Sequence, residues 1–156
     1  MTEFSRRILF AASAVGAFAA GARAQAVEEP VRIMDRYAAA LQAGNVEALV
    51  ALYTANGVFT RPDFPPAVGH DALRTAYKQI FATLKVSLRF DIQEVETLGD
   101  FAWLRSTSVG KVKVLATGVE TGDWYYQTIV FRREAGLWNI RNYLYAPAKP
   151  STPSNS

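Results

Sequence analysis

The chain has 156 residues, of which 50% are hydrophobic and 20% are charged, and this composition is typical of a single globular domain. It contains no cysteine and one histidine, His70, so disulfides, thiolate catalysis, cysteine-bound zinc and sites of several imidazoles are excluded. The formal net charge is +3, but three of the 17 basic residues lie among the first 26 residues, so no basic surface for nucleic acid is expected.

The first 26 residues have the pattern of an export signal. Arg6 and Arg7 precede a short apolar run, which is followed by small residues ending in Ala-Gln-Ala. The run is shorter than the roughly 20 residues that a membrane-spanning helix needs. The paired arginines fit twin-arginine export, and a Sec signal is the alternative. We predict a signal peptide over 1–26, a mature protein beginning near Val27 in the bacterial periplasm or outside the cell, and no stable membrane anchor after cleavage.

Apolar residues at helical spacing predict three helices at the start of the mature chain. The first is predicted to begin around Pro30, after two acidic residues, and to end at Gly44. Asn45 is predicted to cap a second helix that reaches Tyr53. His70 opens the third helix, where a capping or surface role is expected for it. The apolar stripe of this third helix consists of Leu73, Ala76, Tyr77, Ile80, Phe81 and Leu84.

The segment between the second and third helices is predicted to be irregular. Asn56-Gly57 is a turn signal, and a short strand over 58–60 is followed by three prolines. Arg61 and Asp63 lie in this proline loop and are expected at the rim of a pocket. They either pair with each other or orient an anionic ligand and a water. Asp63 is also a candidate catalytic carboxylate.

After the third helix, the hydrophobic pattern changes from helical to alternating, which predicts strands. A Pro/Ser-rich tail over 147–156 is predicted to be disordered. Helices followed by a long antiparallel meander predict an α+β fold rather than a parallel βαβ fold. The predicted strands cover 86–92, 101–115, 123–134 and 137–145.

With this order of elements, the chain resembles the nuclear transport factor 2-like superfamily, and within it the SnoaL-like branch of mostly unknown function. The resemblance implies one domain over 27–146, a cystatin-like α+β roll in which three N-terminal helices pack into a curved antiparallel sheet and form a conical pocket. Relatives include isomerases, cyclases and dehydratases, and also proteins that only bind ligands or associate, so the fold alone does not select a reaction. The segments that carry the resemblance are 37–49, 52–59, 69–74, 99–102 and 131–140.

The similarity to ketosteroid isomerases is more distant. The tyrosine of their oxyanion hole matches Tyr37, which alternatively is only a core aromatic residue. Their aspartate base aligns with Arg61 before Pro62, and their protonated aspartate aligns near Ile129. Both carboxylates are therefore replaced, and enolisation by that mechanism is not expected.

The same alignment implies which residues face the pocket. It turns Arg141 and Tyr143 of the last strand inward, and an arginine among tyrosines suits a ligand with a carboxylate or carbonyl group. The alternative is the opposite alternation of side chains along this strand, in which Trp138, Ile140 and Leu144 lie in the core and Arg141 lies outside it. Tyr37 and Asp63 are the catalytic candidates. The predicted ligand-binding residues are Tyr37, Arg61, Tyr125, Gln127, Ile129, Arg141 and Tyr143.

These expectations describe an exported protein that binds a small, largely hydrophobic molecule, either as an isomerase, cyclase or dehydratase or without catalysis. The alternative is a non-catalytic periplasmic ligand-binding or dimeric association module. We expect no metal and no cofactor, because the sequence has no cysteine, one histidine and no Gly-rich phosphate loop, and no nucleic-acid partner, because no basic surface is expected. A homodimer is expected, because large residues occur on both faces of the last two strands.

Overall fold

The computed structural model describes residues 14–148, with side chains described from residue 28 onward. The arginine pair of the predicted export signal and most of the predicted tail lie outside these residues. Among the described residues, no helix combines the length and apolar character needed to cross a membrane. The elements are α1 (Ala14–Ala43), α2 (Val46–Val50), β1 (Tyr53–Thr60), β2 (Ala67–Val68), α3 (His70–Thr83), β3 (Leu84–Leu98), β4 (Phe101–Val114), β5 (Glu120–Glu134) and β6 (Leu137–Pro147).

Helix α1 is longer than the sequence pattern predicts. It passes through Pro30 instead of beginning there, and Pro30 is fully buried. Proline lacks the N–H group that an interior helical position uses, whereas in a first turn that group has no helical partner. Cleavage a few residues upstream would therefore move Pro30 into a position that favours proline.

The end of α1 is as predicted. Gly44 has a φ of +64°, and the N–H group of Asn45 donates to the carbonyl of Ala40 at 2.9 Å. This is a Schellman motif, in which the left-handed residue favours glycine. The Asn45 side chain then accepts a hydrogen bond from the Ala48 N–H at 3.0 Å and caps α2. Helix α2 is only five residues long, so Tyr53, predicted on that helix, instead begins β1.

The six strands form one sheet in the order β2-β1-β6-β5-β4-β3. All neighbours are antiparallel except β1 and β6, which run parallel. The helices cover one face of the sheet, which we call the inner face. Leu104, Ile129 and Phe131 on this face are fully buried, so the core lies between sheet and helices. The three helices and the sheet match the predicted α+β architecture.

Strand β6 contains a bulge at Arg141. Ile140 pairs with Phe131 of β5 and Asn142 pairs with Val130, so Arg141 has no partner on β5. One extra residue reverses the alternation of sides. Ile140 before the bulge and Tyr143 after it are consequently both buried on the inner face. The predicted alternation with Trp138 and Ile140 inward is therefore correct before the bulge. The alternation with Tyr143 inward is correct after it.

Strand β1 is irregular at the same level of the sheet. Tyr53 pairs with Ile140 and Val58 pairs with Asn142, so residues 54–57 lie opposite the bulge of β6. The predicted turn at Asn56-Gly57 is wrong, because these residues lie in an irregularity inside a strand. A glycine within a strand often marks such a site. At Gly57 a Cβ atom would lie 2.8 Å from the Cβ of Tyr53, so the close approach requires glycine.

Candidate functional site

A cavity of about 90 Å³ lies between the helices and the inner face of the sheet. A single water needs about 10–15 Å³ of this kind of space, so the cavity has room for a small molecule. Its aliphatic wall comes from α1, α3, β3 and β4, and its remaining wall is aromatic with one amide, Gln127. The aliphatic lining residues are Leu41, Ile80, Leu84, Val86, Leu88 and Val112. The others are Tyr37, Phe59, Tyr125, Gln127, Tyr143 and Tyr145.

Three buried tyrosine hydroxyls form a chain that reaches this cavity. The Tyr77 hydroxyl lies 2.8 Å from that of Tyr53 and 3.0 Å from that of Tyr37. Tyr37 lines the cavity, whereas the other two lie behind its wall. The Tyr37 ring also stacks on Tyr143, with ring centres 4.9 Å apart. The three residues come from α1, β1 and α3, so the fold, and not one local motif, brings them together.

The three hydroxyls have one more proton than the hydrogen bonds between them require. Three hydroxyls carry three protons, and two hydrogen bonds between them consume two. When Tyr53 donates to Tyr77 and Tyr77 donates to Tyr37, the remaining proton is on the Tyr37 hydroxyl and is available to another acceptor. Donors in such a chain polarise one another, which strengthens the terminal hydrogen bond.

Burial keeps these hydroxyls protonated. Desolvation raises the pKa of Tyr37, and the hydrogen bond from Tyr77 only partly opposes that effect. Desolvation also raises the pKa of Tyr53, Tyr77 and Tyr143 well above the usual value. These hydroxyls therefore remain neutral and able to donate hydrogen bonds, and they are not a source of negative charge.

A second buried polar group lies on the inner face of β4 and β5. The Ser106 hydroxyl donates to the Gln127 side-chain oxygen at 3.0 Å, and the Gln127 amide donates to the Ser108 oxygen at 2.5 Å. All three residues are at most 2% exposed. These bonds fix the orientation of the Gln127 amide, which is the polar group that reaches the cavity wall.

A tyrosine and a carboxylate are paired at the edge of the cavity. The Tyr125 hydroxyl donates to Asp123 at 3.2 Å, and both residues lie on the inward side of β5. Burial and the neighbouring Asp123 charge raise the pKa of Tyr125. The carboxylate stands beside the wall without forming a metal site. Over residues 28–148, no cluster of three acidic or imidazole side chains could hold an ion.

Arg61 lies beside two residues of the cavity wall, Phe59 and Tyr145. It follows the last residue of β1, and its guanidinium carbon is 4.3 Å from the centre of the Phe64 ring. Burial raises the pKa of Tyr145, and the positive charge of Arg61 opposes that effect, so the two side chains are near each other. No ion pair joins Arg61 to Asp63 among the described residues.

The predicted site residues separate into two groups. Tyr37, Tyr125, Gln127 and Tyr143 line the cavity, whereas Arg61 is not a lining residue but lies beside one, Phe59. Ile129 is on the inner face but is fully buried in the core, so it does not reach the cavity.

Two further predicted residues, Arg141 and Asp63, do not line the cavity, so their predicted positions are wrong. Arg141 donates from Nη1 to the Asn56 carbonyl at 2.7 Å, because the bulge takes it out of the inward alternation. Asp63 is exposed in the turn after β1, with a φ of 62°, and is not part of the cavity wall. His70 does not line the cavity either. Its Nε2 atom forms a hydrogen bond with the Tyr53 carbonyl oxygen at 3.2 Å, which gives His70 a structural role.

The sequence patterns did not indicate Tyr53, Tyr77 or Asp123 as site residues. Tyr53 and Tyr77 appear in the sequence only as apolar positions of helical stripes, and no pattern shows where their hydroxyls point. Asp123 is two residues before Tyr125, and this alternation within a predicted strand was the one available signal.

Comparisons with known proteins identify the family and the fold. The family model described as the SnoaL-like domain matches residues 34–139. A ketosteroid isomerase-like protein from Erwinia carotovora atroseptica SCRI1043 is 31% identical over 80% of this chain and 97% of its own, with a TM-score of 0.76. No curated protein matches the sequence.

Two more distant structures show the same fold. An NTF2-like protein with a cystatin-like fold from Novosphingobium aromaticivorans is 20% identical over 89% of this chain and 92% of its own, with a TM-score of 0.70. A protein provisionally named a dehydratase of the NTF2-like family, from Streptomyces avermitilis, is 19% identical over 80% of this chain and 98% of its own, with a TM-score of 0.69. The predicted cystatin-like α+β roll is confirmed.

Proposed function

The chain belongs to the SnoaL-like domain family, and from that premise we propose that its cavity binds a small, largely hydrophobic molecule carrying a carbonyl or hydroxyl oxygen. The observation that carries this proposal is the chain of buried hydroxyls ending at Tyr37. A donor at the wall of an apolar cavity favours a ligand oxygen, because a buried polar group without a partner costs free energy. The surrounding aliphatic and aromatic wall favours an apolar ligand body.

A matched pair of probes tests this proposal. Acetophenone and ethylbenzene have similar shapes, but only acetophenone carries an oxygen. We expect acetophenone to bind more tightly to the parent protein, and Tyr37→Phe to weaken its binding by about 0.5–1.5 kcal/mol while leaving ethylbenzene unchanged. Calorimetric titration measures both affinities.

The control for this experiment is Tyr126→Phe, because Tyr126 is 59% exposed and lies on the other side of the sheet. This variant should bind both probes as the parent does. Equal affinity of the parent for the two probes, or no binding of either, would contradict the proposal.

Catalysis of the isomerase, cyclase or dehydratase type would also need a base beside the ligand. Asp123 is our candidate, because it lies on the inward side of β5 and accepts a hydrogen bond from the cavity residue Tyr125. The inner position at the end of β1, where ketosteroid isomerases carry their base, is occupied by Arg61. We therefore propose ligand binding as the primary function, and no enolisation of the ketosteroid isomerase kind.

A second candidate function is association between two copies of this chain. Trp124, Tyr126 and Leu144 are 41%, 59% and 41% exposed on the face of the sheet opposite the cavity. Exposed apolar patches commonly mark interfaces, and two-fold dimers are the commonest closed assembly. Light scattering at micromolar concentration should give a dimer mass for the parent and a monomer mass for Trp124→Glu. A monomeric parent would contradict this candidate.

We also propose that the protein acts outside the cytoplasm, on the basis of the paired arginines and small residues in the first 26 residues. Protein from its own host should have an N-terminus near Val27 by mass spectrometry. Replacing Arg6 and Arg7 by lysine should block a twin-arginine route and leave a Sec route nearly intact. Recovery of the uncleaved chain from the cytoplasm alone would contradict export.

A further inference from the structure

We propose that Arg61 is an anion-binding residue at the mouth of the cavity, and that the molecule bound there joins a carboxylate to an apolar body. This inference rests on the proposed function, because it specifies the ligand of the same cavity. It is carried by the position of Arg61, by the way its side chain is held, and by an unused hydrogen-bond donor.

The position follows from the pairing of two strands. Phe59 lies beside Tyr143 and Thr60 lies beside Leu144 in the parallel pair of β1 and β6, so the next residue, Arg61, continues beside Tyr145. Arg61 is two residues after Phe59, and side chains two apart on an extended backbone lie on the same side. The Arg61 guanidinium carbon lies 6.0 Å from the centre of the Phe59 ring, which itself lines the cavity.

A tight turn holds the Arg61 side chain in this place. The Phe64 N–H donates to the Arg61 carbonyl at 3.4 Å, with Pro62 second in the turn and Asp63 third at a φ of 62°. Proline followed by a residue with positive φ is typical of a type II turn. The turn brings the Phe64 ring over the guanidinium, 4.3 Å from its carbon, although Phe64 is itself 55% exposed. An aromatic ring on a guanidinium face restrains it without using its N–H donors.

The edge of this guanidinium has an unused donor. Arg61 Nε is buried and has no hydrogen-bond partner among the described residues. By contrast, Arg74 makes two bonds to Glu47 at 2.7 and 3.0 Å, and Arg141 bonds a backbone carbonyl. A buried N–H without an acceptor is costly, so an acceptor is expected when the site is in use.

The chemistry of the acceptor follows from the donor. Nε and one terminal nitrogen of arginine form a planar fork that matches the two oxygens of a carboxylate. The cavity next to that fork has an aliphatic and aromatic wall, which favours an apolar group attached to the carboxylate. A free inorganic anion would use the fork but not the wall, so the two kinds of ligand can be separated by experiment.

Benzoate and benzamide are the probes, because they share a ring and differ in charge. We expect the parent to bind benzoate about tenfold more tightly than benzamide, which is the scale of one charge-assisted interaction. Arg61→Met should remove this preference while retaining acetophenone binding. Arg61→Lys keeps the charge but lacks the fork, and should retain only part of the preference. In the parent, the Arg61 Nε–H resonance in a ¹⁵N-correlated NMR spectrum should shift on adding benzoate and not on adding benzamide.

Arg89→Met is the matched control, because Arg89 is exposed on β3 and away from the cavity. It should preserve the preference for benzoate. The melting temperature of Arg61→Met should equal or exceed that of the parent, since the substitution removes a buried unpaired donor. A lower melting temperature with unchanged probe preference would show a purely structural role and overturn the inference.

Other outcomes distinguish the inference from the proposed function. Equal binding of benzoate and benzamide by the parent overturns the role of Arg61, while bound acetophenone leaves the proposed function in place. Inorganic phosphate that competes as well as benzoate overturns the requirement for an apolar body. If acetophenone also fails to bind, the proposed function and the inference both fail.

Discussion

At the scale of single residues, the tyrosine hydroxyls behind the cavity are the most consequential group. Tyr77 is the central member, because its hydroxyl bonds those of both Tyr37 and Tyr53. Its ring also stacks on Phe59, with centres 4.9 Å apart. Loss of the Tyr77 oxygen would leave two buried hydroxyls without this partner, whereas loss of the Tyr37 oxygen affects one.

We therefore expect Tyr77→Phe to lower the free energy of unfolding by about 1–3 kcal/mol, which is the usual cost of leaving buried polar groups unpaired. Tyr126→Phe changes an exposed hydroxyl and should stay within about 0.5 kcal/mol of the parent. Urea unfolding followed by circular dichroism measures both. A Tyr77→Phe variant as stable as the control would show that the hydroxyl chain contributes nothing to stability.

The sequence could indicate Tyr37 as a site residue through family resemblance, but not the hydroxyl chain. Tyr37 and Tyr77 are 40 positions apart, and Tyr53 and Tyr77 are 24 apart. Helical periodicity reports which side of a helix is apolar, and a tyrosine satisfies it with its ring alone. The direction of each hydroxyl is set by the packing of α1, β1 and α3, which a local pattern does not contain.

At the scale of elements, the paired irregularities of β1 and β6 shape the sheet beside the cavity. The bulged Arg141 of β6 spans the gap to β1 and bonds the Asn56 carbonyl. The sequence predicted β6 and only the end of β1, over 58–60, and it did not predict the extra residue between Ile140 and Asn142. An alternating pattern assumes one residue per step, so a bulge shifts every later residue to the other face without a change in composition.

Arg141→Met should destabilise the fold by about 1 kcal/mol, because the Asn56 carbonyl loses a charged donor. This outcome differs from the stabilisation that an inward, unpaired arginine would give. Acetophenone binding should be unchanged, since Arg141 does not line the cavity. Urea unfolding and calorimetry measure the two effects, with Arg89→Met as an exposed control. Weakened acetophenone binding with unchanged stability would restore Arg141 to the cavity.

At the scale of the whole molecule, the buried tyrosines make stability depend on alkaline pH. Burial raises the pKa of Tyr37, Tyr53, Tyr77 and Tyr143 above the value of 10.0 of an unperturbed tyrosine. Above that pH, the unfolded chain has lost protons that the folded chain still holds. Unfolding then releases protons, so the free energy of unfolding falls as pH rises.

The expected loss is up to about 1.4 kcal/mol for each buried tyrosine and each pH unit above 10. Below pH 10, both states keep these protons, and the tyrosines contribute no pH dependence. Urea unfolding at closely spaced pH values from neutral to alkaline measures the slope. These tyrosines ionise when unfolding exposes them, so the near-ultraviolet absorbance of tyrosinate should appear together with the loss of secondary structure. A free energy of unfolding that stays constant through this range would contradict the burial of the four hydroxyls.

The overall architecture was more predictable than the site. Three helical stripes followed by four alternating segments correspond to α1–α3 and β3–β6, and the order of elements indicated the family. The predicted start of the first helix was displaced, because the charge and proline signals near Pro30 cannot show whether a preceding segment continues the helix. The cavity wall depended on strand register, which tertiary contacts decide.

The bulge of β6 also has a consequence for chain length. Residue 141 has no partner on β5. If this residue were deleted, every remaining pair between β5 and β6 could still form. Deletion of Leu144 would instead move Tyr145 to the opposite face of the sheet. One aromatic ring would then be lost from the cavity wall. Relatives one residue shorter are therefore expected to carry their alignment gap at the bulge, where a deletion leaves the cavity wall on β6 unchanged.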